Sequence, residues 1–445
     1  MVKVNFLAKN VIACCLLLLS SVMAYAEYPA GSPVALNGKL RVENGQLVNE
    51  CGNPVQLRGM SSHGLAWNPT AYTDASFKAL VEDWNISLFR IAVYTHEWGG
   101  YTTEQWKSRE EYNLFIDNLI SLCAKYGIYC LIDWHVLNQG SGNPNRTIDD
   151  ATYFWDYMAK NHRDDKHVMY EICNEPNGTS VTWSVVKKYA DNIIPLIRKI
   201  DPYTIIICGS PTWSQDVDLA AKDPLQYDNI MYSLHFYSGT HTDYLREKAN
   251  TAINAGLAIF VTEFGTSRSD GNGGVYLDEC DKWMDWMDEN NISWANWSFC
   301  DKNETSAALN PNAVAKGNWN DVSESGEYIK SKLAEPYKDK YIQCSEQQEF
   351  ILPDIVCDTC DAVEDVQNDL NVQIYPNPIN NDNSFFIDAP FNVEKIVIYD
   401  MLGKEIERIE NLNNNNYITH NLQKGIYQVK IYGSKFITVK KLIKK

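Results

Sequence analysis

From Leu36 to about Pro336 the chain repeats one pattern eight times: a short apolar run rich in β-branched and aromatic residues, then a longer stretch whose apolar residues recur every 3.6 positions. The short runs are Val55 to Met60, Ile86 to Tyr94, Ile128 to His135, His167 to Asn174, Ile205 to Gly209, Ile230 to His235, Ala258 to Glu263 and Ile292 to Ser298. Glu110 to Tyr126, Val181 to Ile200 and Leu277 to Asn290 are the clearest of the helical stretches. Strands this apolar must be covered on both faces, and a helix after each strand supplies that cover. The pattern predicts an α/β protein of the (β/α)8 barrel class, whose usual length of roughly 250 residues suits the segment. An open doubly wound sheet is the alternative, and it lacks the Gly-x-Gly-x-x-Gly loop that such sheets use to hold phosphate.

The flanks differ. Lys3 and Lys9, the apolar run Val11 to Leu19 and the Ala24-Tyr25-Ala26 step predict a signal peptide over residues 1–26. Cys14 after Val11-Ile12-Ala13 resembles a lipoprotein box, but the apolar core follows that cysteine, so simple export is expected. The barrel is expected over 27–336, an acidic linker over 337–370 and a small all-β domain over 371–445, with strands near Ile396 to Tyr399, Ile426 to Ile431 and Phe436 to Val439 and an Asn-rich turn at Asn413 to Asn416. That last segment has ten Lys/Arg against seven Asp/Glu in a chain of formal net charge −18. So acidic a chain is a poor partner for nucleic acid phosphates. No transmembrane segment is expected after the first residues. Ten cysteines remain in the exported chain: Cys173 and Cys208 read equally as buried thiols or as a bridge, and Cys357 with Cys360 as a local disulfide.

Barrels of this kind place reactive groups at the C-terminal ends of their strands. There the sequence puts Ser61-Ser62-His63, Arg90 and Tyr94, Asp133-Trp134-His135, Asn174-Glu175-Pro176, His235-Phe236-Tyr237, Thr262-Glu263-Phe264 and Trp297. Two carboxylates on different strands can divide the work of glycoside hydrolysis, one protonating the leaving oxygen and the other attacking the anomeric carbon. Trp67, Tyr94, Trp213 and Trp297 offer flat apolar faces to pyranose rings. Trp183, Trp283 and Trp286 lie on helical stretches and are expected in the core or on the surface.

These segments resemble glycoside hydrolase family 5, close to its bacterial endoglucanases, through LRGMSSHGLAW (57–67), FRIAVY (89–94), IDWH (132–135), VMYEICNEPNG (168–178), TWSQDV (212–217), MYSLHFYSGTH (231–241), FVTEFGTS (260–267) and ISWANWSFCDKNETSAAL (292–309). The resemblance implies a retaining endo-β-1,4-glucanase with Glu175 as acid/base and Glu263 as nucleophile. It implies that Asn174 contacts the sugar 2-hydroxyl, that Arg90 and Tyr237 hold the nucleophile, and that His135 and His235 line the cleavage point. His63, Trp67, Tyr94, Trp297, Lys302 and Glu304 are similar to glycone-side residues, and Trp213 to a leaving-group platform. Phe264 stands where these enzymes often carry Trp, which bears on packing behind the nucleophile.

The C-terminal segment resembles the sorting domain of the type IX secretion system through YPNPINND (375–382), IVIYDMLGKEI (396–406), LQKGIYQVKI (422–431) and the final KKLIKK. That implies the secretion machinery as a partner and delivery outside the cell or onto its surface. A carbohydrate-binding module would instead expose aromatic platforms, for which only Tyr427 and Tyr432 are candidates. The expected substrate is a β-glucan, with no cofactor and no metal, and a monomer is expected. The rivals are a β-mannanase, xyloglucanase or mixed-linkage glucanase on the same barrel, a metal-dependent barrel hydrolase with His63, His135, His235, Glu175 and Glu263 as ligands, and a non-catalytic surface glycan binder.

Overall fold

The computed structural model describes residues 28–137 and 142–335 and, in the C-terminal segment, 372–377, 379, 384–389, 393–400, 405–410, 416–418, 422–433 and 437–444. The expected signal peptide with its Cys14, the linker with Cys357 and Cys360, and Asn413 to Asn415 lie outside these residues.

Eight parallel strands close into a barrel: β1 (Arg58–Ser62), β2 (Leu88–Tyr94), β3 (Tyr129–His135), β4 (Val168–Glu171), β5 (Ile206–Cys208), β6 (Ile230–Tyr237), β7 (Ile259–Gly265) and β8 (Trp294–Phe299), with β8 beside β1. Each strand is followed by a helix: α1 (Asp74–Glu82), α2 (Arg109–Tyr126), α3 (Ile148–His162), α4 (Trp183–Ile200), α5 (Val217–Lys222), α6 (Asp243–Asn254), α7 (Leu277–Glu289) and α8 (Glu324–Ala334). Local chemistry sets the helix ends. In α2, Ser108 and Glu111 form a reciprocal capping box at the start, and Gly127, at φ 67°, supplies the left-handed residue that ends it.

Two strands depart most from their apolar runs. The β4 ladder stops at Glu171, and Ile172 to Glu175 bend onto single hydrogen bonds to Ile207, Trp134 and Val136. At the first strand the ladder begins at Arg58, while Val55 and Leu57 lie in the barrel floor.

Period-two alternation divides the side chains. Phe89, Ile91 and Val93 of β2, with Cys130, Ile132 and Trp134 of β3, face outward into the main apolar layer under the helices. Facing inward at the N-terminal end, Leu88, Tyr129, Leu131, Met169, Ile207, Met231 and Phe260 form a floor with the Arg41–Glu43/Gln46–Val48 hairpin. Further up the same inward rows come Arg90, Asp133, His135, Glu171 and His235. The floor is therefore apolar and the mouth polar. Trp183, Trp283 and Trp286 are buried in the outer layer, and Cys173 and Cys208 are free buried thiols.

The C-terminal segment forms two antiparallel sheets, Gln373–Tyr375 with Ser384–Asp388 and Asn416–Ile418, and Glu405–Glu410 with Val393–Asp400, Gly425–Gly433 and Ile437–Lys444. Phe385, Ile387, Ile396, Ile398, Val429, Ile431 and Leu442 share its small core. Tyr427, considered above as an exposed platform, is buried there, because its place on a central strand turns it inward. No helix among the described residues is long and apolar enough to cross a membrane.

Candidate active site

Arg90 organises the mouth of the barrel. Its guanidinium is wholly buried: Nε donates to Glu171 Oε2 at 2.7 Å, Nη1 to Glu263 Oε2 at 3.0 Å, and Nη2 to Asn174 Oδ1 at 2.7 Å while lying 3.0 Å from Asp133 Oδ2. Burial works against its charge, and the carboxylates of Asp133, Glu171 and Glu263 more than offset that, so it titrates above the usual arginine range.

Glu263 reaches the interior through an irregularity in β7. The pairing with β6 steps from Ser233 opposite Phe260 to His235 opposite Glu263, two residues on one strand against three on the other. The extra residue lets Thr262 and its neighbour Glu263 both face inward, where a regular strand would send one of them out. Thr262 Oγ1 donates to Glu171 Oε1 at 2.7 Å, and Glu263 Oε1 accepts from Tyr237 Oη at 2.7 Å. Burial alone would raise the Glu263 carboxyl. The charges of His235 and Arg90, with help from Tyr237, outweigh it and hold this group below the usual glutamate range.

Glu175 has the opposite bias. Burial pushes it up to about 7 against the pull of its hydrogen bond to His235, and the negative charge of Glu263 adds to the rise. His235 Nδ1 lies 2.9 Å from Glu175 Oε1, and Nε2 lies 2.9 Å from Thr262 Oγ1 and 3.7 Å from Glu171 Oε1. Burial would lower this imidazole, but hydrogen bonds to Glu171 and Glu175 raise it to about 9, so both ring nitrogens carry protons at neutral pH. One atom each of Glu175, His235 and Glu263 lie within 4.8 Å of one another. Distance alone would suit a cation there, but a protonated His235 has no lone pair to give it.

His135 is neutral. Burial and the Arg90 charge take it down to about 3. Asn174 Oδ1 accepts from Arg90, so Asn174 Nδ2 is the group 3.3 Å from His135 Nε2, which must accept. The ring proton therefore sits on Nδ1, 2.6 Å from Asp133 Oδ2.

On one side of this cluster His63, Trp67, Asn68, Tyr94, Asp301 and Lys302 line a cleft of about 450 Å³. Trp67 meets Tyr94 edge-on at 4.7 Å, and Trp297 stacks on His135 at 5.3 Å. Lys302 lies in the cleft wall, its Nζ 2.5 Å from Glu304 Oε2. On the other side Thr212, Trp213 and Ser214 form a left-handed turn, with φ of 56°, 55° and 56°. Each such residue costs about 1–2 kcal/mol, so the surroundings must hold it. They do: Trp213 N donates to Pro176 O at 3.1 Å, and Ser214 Oγ to Asn174 O at 2.5 Å. The turn thus grips the peptide on both sides of Glu175 while leaving the Trp213 indole 45% exposed.

Every site residue expected from the sequence falls on this surface or directly behind it, with Glu304 entering through Lys302. Four that matter to its geometry were given no role: Asp133 and Thr262, named only as neighbours at the strand ends, and Glu171 and Ser214. A carboxylate within an apolar strand, as in VMYEIC, is the signal that could have found Glu171, since acidic groups are rarely buried unless paired. Phe264 packs outward on Phe236 and Trp294, away from the carboxylates.

Residues 48–303 match the family described as Cellulase (glycosyl hydrolase family 5), and residues 373–445 match the secretion system C-terminal sorting domain. The chain is 44% identical over 336 residues to an endoglucanase of Clostridium saccharobutylicum, covering 74% of this chain and 73% of that one. It is 48% identical over 287 residues to endoglucanase A of Evansella cellulosilytica, covering 64% of this chain and 57% of the relative. Among solved structures, the cellulase Cel5C_n superposes with a TM-score of 0.71 at 68% identity over 72% of this chain and 98% of its own. The catalytic domain of Thermobifida fusca endoglucanase Cel5A, solved as a variant with cellotetraose, gives 0.65 at 36% identity over 68% and 99%.

Proposed function

Since this chain belongs to glycoside hydrolase family 5 and carries a secretion sorting domain, we propose that it is an exported enzyme that cuts internal β-1,4-glucosidic bonds of cellulose-like glucans with retention of configuration. Glu263, held ionised, attacks the anomeric carbon, and Glu175, which keeps its proton to about pH 7, delivers it to the departing oxygen. In the second step a water entering where the leaving sugar was gives a proton to Glu175 and attacks the anomeric carbon, breaking its bond to Glu263. The observation that carries this reading is the approach of one oxygen of each carboxyl group to within 4.8 Å. Retaining glycosidases hold theirs roughly 5–5.5 Å apart, against ~6.5–9.5 Å where a water must fit behind the sugar.

Asn174, aligned by Arg90, presents its amide towards the sugar 2-hydroxyl in this reading. Tyr237 and Arg90 hold the nucleophile, and His135 and His235 border the scissile bond. His63, Trp67, Tyr94, Trp297 and Lys302, backed by Glu304, receive the glycone, while Trp213 receives the leaving chain. Endoglucanase relatives and a relative's cellotetraose complex support a β-1,4-glucan as substrate. The matched sorting domain supports export through the secretion machinery.

The test is turnover of carboxymethylcellulose, barley β-glucan, xyloglucan and mannan by the wild-type protein, Glu175→Gln and Glu263→Gln, with the product anomer read by NMR. Rapid viscosity loss on the glucans with β-anomer formed first is expected, and each variant should lose several orders of magnitude in kcat at unchanged Tm. An α-anomer product, or a preference for mannan, would overturn the mechanism or the substrate respectively.

A further inference from the structure

The loop between β2 and α2 holds two neighbours that the catalytic cluster does not use. Glu97 Oε2 accepts from the His96 backbone N–H at 3.3 Å, and Oε1 is buried with no hydrogen-bond partner. A carboxylate oxygen withdrawn from water in this way is costly unless another donor arrives. Beside it Trp98, 55% exposed, is the most exposed large apolar side chain among the described residues.

Three observations tie the loop to the cleft. A Cβ on Gly99, whose φ is 71°, would lie 2.5 Å from Ala66 Cβ, so the backbone next to Trp98 rests on the residue next to Trp67. Tyr101 N donates to Tyr94 O at 2.8 Å, and Thr102 N to Thr95 O at 2.9 Å, which folds the loop back over the end of β2. The charge of Glu97 acts on both Tyr94 and His135. A weakly engaged carboxylate and an exposed indole thus stand side by side on a loop packed against the His63–Trp67–Tyr94 wall. A pyranose ring presents what suits both, hydroxyl donors for Glu97 Oε2, which among the described residues holds only the 3.3 Å bond from His96, and a flat C–H face for the indole.

We propose that Glu97 and Trp98 form an additional sugar-binding site at the outer glycone end of the cleft, taking one further glucosyl residue of a β-glucan chain. Trp98 stacks on the apolar face of that residue, and Glu97 accepts from its hydroxyls. This rests on the glucanase reading above. The consequence is a preference for long chains.

The experiment measures kcat/KM of the full chain for an aryl β-cellobioside and for cellotriose through cellohexaose, comparing wild type with Trp98→Ala and Glu97→Gln. In the wild type kcat/KM should climb with chain length up to the oligomer that reaches Trp98. Trp98→Ala should remove the last step of that climb, a roughly 3- to 10-fold loss carried by KM, by the usual worth of an aromatic stacking contact. Glu97→Gln, which keeps shape and removes acceptor charge, should lose part of the same step. Equal loss at every length, aryl substrate included, would mean a structural role and overturn the proposal, as would variants that keep the wild-type climb. Wild-type protein that turns over none of the oligomers would instead sink the glucanase reading, and this site with it.

Discussion

Replacing Tyr237 by Phe tests how the nucleophile is held. The change removes one atom, the hydroxyl that donates to Glu263 Oε1 at 2.7 Å, and leaves the Arg90 bond to Oε2 in place. A hydrogen bond to a charged group is worth about 1.5–3 kcal/mol, so kcat should fall by roughly 10- to 150-fold if the bond is needed to aim the carboxylate. The same bond is one of the causes that hold Glu263 below the usual glutamate range, so its loss must favour the protonated acid. The proposed mechanism requires Glu263 ionised, so activity should rise with pH through its pKa. The acid limb of kcat/KM should then shift to higher pH in the variant while the alkaline limb, set by Glu175, stays within a few tenths. Initial rates on an aryl β-cellobioside from pH 3 to 9, with Tm recorded in parallel, give both readings. A normal rate with an unmoved acid limb would refute the claim that Tyr237 positions and ionises the nucleophile.

Two further outcomes follow from the same geometry. The wild-type kcat/KM profile should be bell-shaped, rising below the usual glutamate range as Glu263 ionises and falling through about pH 7 as Glu175 loses its proton; a plateau extending past pH 9 would exclude Glu175 as the acid. Ser214→Ala should release the carbonyl of Asn174 and loosen the acid, lowering kcat about 2- to 10-fold on cello-oligosaccharides while sparing a dinitrophenyl β-cellobioside, whose leaving group needs no proton; equal effects on both substrates would reduce Ser214 to a stability role.

The barrel was legible because strand and helix differ in period, and eight alternations leave few ways to cover eight apolar strands. That Glu175 and Glu263 would meet in the barrel mouth was legible because each sits at a strand end among Asn, Arg, His and Tyr. Much of the supporting geometry was not. Whether an acid in an apolar strand faces the barrel interior or the helices depends on register, so Asp133 and Glu171 could not be separated from their neighbours. The irregularity that turns both Thr262 and Glu263 inward leaves no mark in VTEFG, which contains no glycine at the point where pairing slips. The left-handed turn at Thr212 to Ser214 is equally silent, since a β-branched residue and a Trp are poor predictors of positive φ. It persists because the carbonyls flanking Glu175 hold it, contacts made by residues about forty positions away.

The division of labour between the two glutamates follows from charge counting inside the barrel mouth. Arg90, Asp133, Glu171, Glu175, His235 and Glu263 form one buried, hydrogen-bonded group. Two of its members are cations, Arg90 and a His235 raised to about 9. Four are carboxyl groups, and in low dielectric only as many can ionise cheaply as there are cations to pair them. Glu171, drawn down to about 2 by Arg90 and His235 against burial, takes one place, and Glu263 takes the other. Asp133 is raised well above the carboxylate range by burial and by the charges of Glu171 and Glu263, although Arg90 lies beside it, and Glu175 is left to hold its proton to about 7. Glu175 is therefore protonated because Glu263 is not. In the proposed mechanism the glycosyl group consumes Glu263, its negative charge leaves the cluster, the pair Arg90 and His235 is one anion short, and Glu175 becomes the carboxyl that ionisation favours. That is the state in which it must serve as base for the second step.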